Sequence, residues 1–96
     1  MRIVCDIDGT LIYSVLRNGS YFVTDHNYSL VASLNNSYDS GDEIILHTGR
    51  HWNHLKLTID QLEEIGIKYH SLVMGKPVGD VYIDDKAVRP DEFLAG

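Results

Sequence analysis

The chain has 96 residues, 44% of them hydrophobic and 23% charged, a balance that suits one small globular domain and excludes a disordered or fibrous chain. Its formal net charge of -6 argues against a nucleic-acid backbone as partner, because that binding is driven by clustered Lys and Arg. With no long apolar run and no charged-then-apolar leader at the N-terminus, no membrane association is expected, and the cytoplasm is the expected compartment.

Residues 2–8 read as the first strand, an apolar run that ends in two acids, Asp6 and Asp8. Buried carboxylates cost several kcal/mol each unless something neutralises them, so a positive partner is required at this strand end. The single cysteine, Cys5, excludes an internal disulfide and fits a reducing compartment. Side chains alternate along a strand, so Cys5 is expected to point away from the face that Asp6 uses and to be a core residue. Within residues 11–24, Asn18-Gly19 stands between two short stretches rich in Tyr, Val and Phe, which predicts a β-hairpin above the paired acids.

A helix is predicted over residues 27–38, with Leu30, Val31, Leu34 and Tyr38 on one face and Gly41 as C-cap. A strand follows over 43–48. A second helix is predicted over 52–65, with Leu55, Ile59, Leu62 and Ile65 inward and Gly66 closing it, and further strands over 70–74 and 81–84. Strands alternating with helices imply crossover connections and a parallel sheet. The expected fold is a small Rossmann-like three-layer α/β sandwich, with four strands in the order 4-1-2-3 and helices on both faces, all within one domain spanning 1–96.

Ligands of open parallel sheets bind beyond the carboxyl ends of the strands. Those ends carry Asp6 and Asp8, Thr48 with Gly49, Lys76 just after the third strand, and Asp84 with Asp85. Four converging carboxylates repel one another unless a cation intervenes, and a hard, oxygen-only donor set suits Mg²⁺. The remaining groups describe an anion site: Lys76 as a point charge, Thr48 as a hydroxyl donor, and Gly9 and Gly49 for close backbone N–H approach. A tetrahedral phosphate fits this set, and the chemistry that follows is phosphoryl transfer with a carboxylate nucleophile.

The motifs "DIDGT" at Asp6, "HTGR" at His47, "GKP" at Gly75 and "YIDD" at Tyr82 resemble, in order, the four motifs of the haloacid dehalogenase superfamily of phosphohydrolases. The resemblance spans almost the whole chain, and the tail after Asp84 is similar to that of small capless members that act in capsule or polysaccharide biosynthesis. It implies Asp6 as nucleophile, Asp8 as general acid and base, Thr48 and Lys76 on the phosphoryl group, and Mg²⁺ held by Asp6, the backbone carbonyl of Asp8, and Asp84 directly, with Asp85 acting through water or orienting the ligands. Gly9, Thr10, Gly49 and Arg50 complete the implied phosphate site, and the hairpin matches the family's flap.

Neither gap between motifs has room for a cap domain, so the site should be open, and the substrate is a phosphorylated small molecule with sugar phosphates and nucleotides both open. The usual fifth strand is expected to be missing, and a homodimer would supply the burial that so small a sheet lacks. A phosphomutase or other phosphotransferase would use the same intermediate. A phospho-receiver domain would place its acidic pair at the first strand and a lone acceptor Asp mid-chain, and a non-catalytic binding module would not need the full set of catalytic groups. His51 and His54 are spaced as a zinc pair, but no further ligand lies at a recognisable spacing. Substrate contact and solvent exposure are equally open for Arg17, Tyr21, Arg50, His51 and Trp52.

Overall fold

The computed structural model describes residues 1–96. In chain order the elements are β1 (Arg2–Asp6), β2 (Ile12–Arg17), β3 (Ser20–His26), α1 (Tyr28–Asp39), β4 (Glu43–His47), a 3-10 turn (Trp52–His54), α2 (Leu55–Ile65), β5 (Ser71–Val73) and α3 (Pro90–Ala95). The strands β1, β4 and β5 form a parallel sheet in the order β1-β4-β5, and β2 pairs with β3 as a separate antiparallel hairpin.

Local chemistry accounts for the element ends. Asn18 and Gly19 both take positive φ, 51° and 75°, the pair of left-handed residues that a two-residue hairpin turn demands. Asn27 caps α1, its side chain accepting a hydrogen bond from the Leu30 N–H at 3.1 Å. Gly66 ends α2 at φ 76°, in the left-handed conformation that lets its N–H turn back to the last carbonyls. No helix is long and apolar enough to cross a membrane.

One continuous core joins Cys5, Ile7, Leu11 and Ile12 to Leu30, Val31 and Leu34 of α1, to Ile44 and Leu46 of β4, and to Leu62 of α2 and Ile67. Both helices therefore lie on the same face of the sheet. The other face is not covered by a helix: Val4 and Val73 are exposed there. The expected three-layer sandwich is a two-layer one, and the reason is topological. Strands in simple sequential order, joined by right-handed crossovers, put every connecting helix on one side.

The fourth strand expected over 81–84 is not formed, so β1 is an edge strand and the order 4-1-2-3 reduces to its last three members. Tyr82 folds back instead. Its hydroxyl accepts from the Gly79 N–H at 2.8 Å and donates to the Pro77 carbonyl at 3.3 Å, closing a compact turn that leaves Ile83 98% exposed. Further on, α3 opens with Pro90 in its first turn, a position where the missing N–H costs nothing, and packs Phe93 on the core. The inward face of α2 also differs from expectation. Thr58, Gln61 and Leu62 are buried, while Ile59 is exposed.

Candidate active site

Strand β1 delivers Asp6 at its carboxyl end, beside His47 in the paired register. The chain then turns sharply, with the Gly9 N–H donating to Ile12 O at 2.8 Å and Gly9 at φ 80°. Thr10 comes back over the strand end, and its hydroxyl donates to Asp6 Oδ2 at 3.2 Å. Lys76 reaches the other oxygen, Nζ to Oδ1 at 2.8 Å. The lysine is positioned by backbone bonds: the Lys76 N–H donates to Thr48 O at 3.0 Å and the Gly75 N–H to Arg50 O at 2.8 Å. A Cβ at Gly49 would run into Val78 Cγ2, so a larger residue at this crossing would push that exposed side chain aside.

Asp8 is held differently. Arg50 grips it with a fork, Nε to Oδ1 and Oδ2 at 3.1 and 3.2 Å and Nη2 to Oδ1 at 2.8 Å. The Thr48 hydroxyl donates to Asp8 Oδ2 at 2.7 Å, and the Ser14 hydroxyl to Oδ1 at 3.3 Å. The remaining guanidinium nitrogen, Nη1, donates to Thr58 Oγ1 at 3.1 Å and to Gln61 Oε1 at 2.6 Å. The Tyr21 ring lies over the guanidinium, its centroid 4.3 Å from Cζ, and the Gln61 amide donates to Tyr21 O at 2.8 Å. A charge buried this deeply is tolerated because every guanidinium nitrogen has a partner.

These contacts change the roles of several residues. Arg50, expected either in the phosphate site or in solvent, borders the cleft but is 1% exposed, with its guanidinium committed to Asp8, Thr58 and Gln61. The Thr48 hydroxyl commits its proton to Asp8 and accepts from the Arg50 N–H, so it stands behind the acid rather than over it. The Gly9 N–H is spent inside its turn. The N–H groups of Asp8 and Gly49 have no protein acceptor, and both residues border the cleft.

Asp84 and Asp85 are not brought to Asp6 and Asp8. Both are exposed, and Asp84 Oδ1 accepts from the Lys86 N–H at 2.8 Å, because the turn closed by Tyr82 keeps their segment off β1. No three His, Cys, Asp or Glu side chains converge to hold a metal ion. The side-chain carboxylates at the cleft are those of Asp6 and Asp8 alone, each already paired with a cation, so the carboxylate set expected to hold Mg²⁺ is not assembled here. The histidine pair does not make a centre either: the His51 ring caps the 3-10 turn by accepting from the Asn53 N–H, and His54 packs edge-on against Tyr21.

Burial, then the nearby Lys76 charge, lowers the His47 pKa below its ordinary value. Burial pushes the Cys5 thiol up to about 12, which leaves it inert, as its place on the core side of β1 implied.

Asp6, Asp8, Gly49 and Lys76 border a cleft of about 410 Å³, walled on one side by Ser14, Leu16 and Tyr21 of the hairpin and on the other by Val78 and Tyr82. Tyr82 lies against Lys76, Nζ to ring centroid 5.1 Å. Sequence reasoning left Tyr21 open and missed Ser14, Thr58, Gln61 and Tyr82. The one readable trace was a pair of polar residues, Thr58 and Gln61, three apart on the inward side of an otherwise apolar helix face.

No protein-family model matches the chain, and no curated protein matches it significantly. Among solved structures it is similar in fold to a structural-genomics target from Vibrio cholerae, at a TM-score of 0.80 and 24% identity over 99% of this chain and 88% of that one. It is also similar in fold to a protein from Vibrio cholerae named as a "putative 3-deoxy-D-manno-octulosonate 8-phosphate phosphatase", at a TM-score of 0.54 and 22% identity, covering 78% of this chain and 40% of that one. The chain thus shares its α/β fold with a protein carrying a phosphatase name.

Proposed function

We propose that this chain is a phosphomonoester hydrolase of the haloacid dehalogenase type, with Asp6 as the attacking group. The observation that carries the proposal is the Asp6 carboxylate at the mouth of β1, paired with Lys76 at 2.8 Å and bordering a cleft shared with Asp8 and Gly49, whose N–H groups have no acceptor in the chain. A phosphoryl group entering there meets a nucleophile, an ammonium and two backbone donors. The phosphatase name of one structure similar in fold, and the order of the four sequence motifs, support the same reading.

In this mechanism an Asp6 oxygen forms a bond to phosphorus as the ester P–O bond breaks, and the leaving oxygen takes a proton. Water then attacks the acyl-phosphate, giving up a proton and restoring the Asp6 carboxylate. Asp8, two residues on and bordering the same cleft, is the group in reach for both proton transfers. Arg50 and Thr48 position it. The resemblance also implies Mg²⁺ as cofactor, which would neutralise phosphate charge, but with Asp84 and Asp85 held away only Asp6 and Asp8 bring carboxylates to the cleft.

The test is release of inorganic phosphate from a panel of phosphomonoesters, with and without Mg²⁺, by the wild type and by Asp6→Asn. The expected result is turnover by the wild type and none above background in the variant, with an unchanged melting temperature. Turnover by Asp6→Asn near the wild-type rate would overturn the proposal.

A further inference from the structure

We infer that the ester cleaved in this cleft has an uncharged leaving group with a flat apolar face, an arylalkyl or aryl phosphate rather than a sugar phosphate; the inference rests on the phosphatase reading of the same site. At about 410 Å³ the cleft is larger than a phosphoryl group needs, so its walls must meet the rest of the substrate.

The polar side chains of those walls are largely committed to partners within the chain. The Ser14 hydroxyl donates to Asp8, and the Tyr82 hydroxyl is occupied by the Gly79 N–H and the Pro77 carbonyl. Every nitrogen of the Arg50 guanidinium is engaged by Asp8, Thr58 or Gln61, and Lys76 is the partner of Asp6. No second cation is left for a leaving group that carries its own carboxylate or phosphate. No side-chain amide borders the cleft, and beyond the Tyr21 hydroxyl no side chain outside the phosphoryl site keeps a free donor for the hydroxyls of a sugar. Polyol hydroxyls drawn into this space would lose water and gain few side-chain partners.

What the walls do offer is Leu16, Tyr21, Val78 and Tyr82. Leu16 is 61% exposed, Val78 78% and Tyr82 60%, an apolar rim left open to solvent beside the cleft. The two tyrosines are held in place by the cations of the site itself, Tyr21 over Arg50 and Tyr82 against Lys76. Rings ordered before binding offer apolar surface with little entropy left to lose. The leaving group inferred differs in kind from the sugar acid in the name of the phosphatase similar in fold.

Two primary-alcohol esters of similar intrinsic reactivity, 2-phenylethyl phosphate and glucose 6-phosphate, separate the possibilities. The expected kcat/KM is about tenfold or more in favour of the phenylethyl ester, residing mainly in KM, and Leu16→Asn and Tyr82→Ala should each shrink that ratio. Equal or better turnover of glucose 6-phosphate, or a ratio unmoved by both variants, would overturn the inference. Failure of both esters, with and without Mg²⁺, would count against the phosphatase reading instead. Calorimetry with two phosphonates then decides the leaving group alone. Tighter binding of 2-phenylethylphosphonate than of 3,4-dihydroxybutylphosphonate supports the apolar face, and equal or weaker binding rejects it.

Discussion

Asp6 and Asp8 stand two residues apart and each holds a cation, yet Arg50 has a side-chain exposure of 0% and Lys76 of 18%. The Asp8 pair is surrounded by a hydroxyl from β2, a threonine at the end of β4 and two polar side chains of α2, with a tyrosine of β3 laid over it. The Asp6 pair is made by a lysine on the segment after β5 and flanked by a tyrosine from an irregular turn. One half of the site is fixed by packing from several elements. The other rests on one ion pair between partly exposed side chains, held by far fewer neighbours.

The largest effect follows from breaking the fixed half. Arg50→Met should lower the stability by about 3–5 kcal/mol, because it leaves Asp8, Thr58 and Gln61 without their shared donor. The urea midpoint measures this. Arg50→Lys should not restore it, since an ammonium cannot reproduce the fork. A loss below about 1 kcal/mol would erase the contrast between the two halves.

Lys76→Met should cost within about 1 kcal/mol, the range of partly exposed pairs, while phosphate release falls. A destabilisation as large as that of Arg50→Met would mean that Lys76 is structural and not available to substrate.

The smallest effect sharpens the environment of the Asp6 half. His47 titrates below its ordinary value in the folded protein, so the unfolded chain takes up a proton first on acidification. Stability should be fully present above pH 6.5 and decline as the pH falls from there through the lower folded value. His47→Gln should make this decline shallower in melts between pH 7.5 and 5.5. An identical slope in the variant would place the effect in another residue.

The sequence made parts of this legible through local rules. Asn18-Gly19 specifies its turn by backbone sterics, and Gly66 and Asn27 end their helices by the same logic. The acids, Lys76 and Gly49 were readable because strand ends are where open sheets expose chemistry. Arg50 was not, because a buried guanidinium announces itself only through its partners, and Thr58 and Gln61, although three apart on the inward side of their helix, do not say which charge they receive. Residues 81–84 were read as a strand from their β-branched and aromatic run. What overrides that preference is the bond from the Tyr82 hydroxyl to the Pro77–Gly79 turn, a contact no local pattern encodes.

The open edge of β1 has a consequence for the protein's behaviour in concentrated solution. A strand with one neighbour is a template on which another chain can extend the sheet, and here Val4 adds an exposed apolar side chain at its centre. The strand is only five residues long, with Arg2 at one end and Asp6 at the other. Any added strand must therefore meet a positive and a negative charge within that short span, which narrows the sequences that can grow onto it and disfavours indiscriminate aggregation.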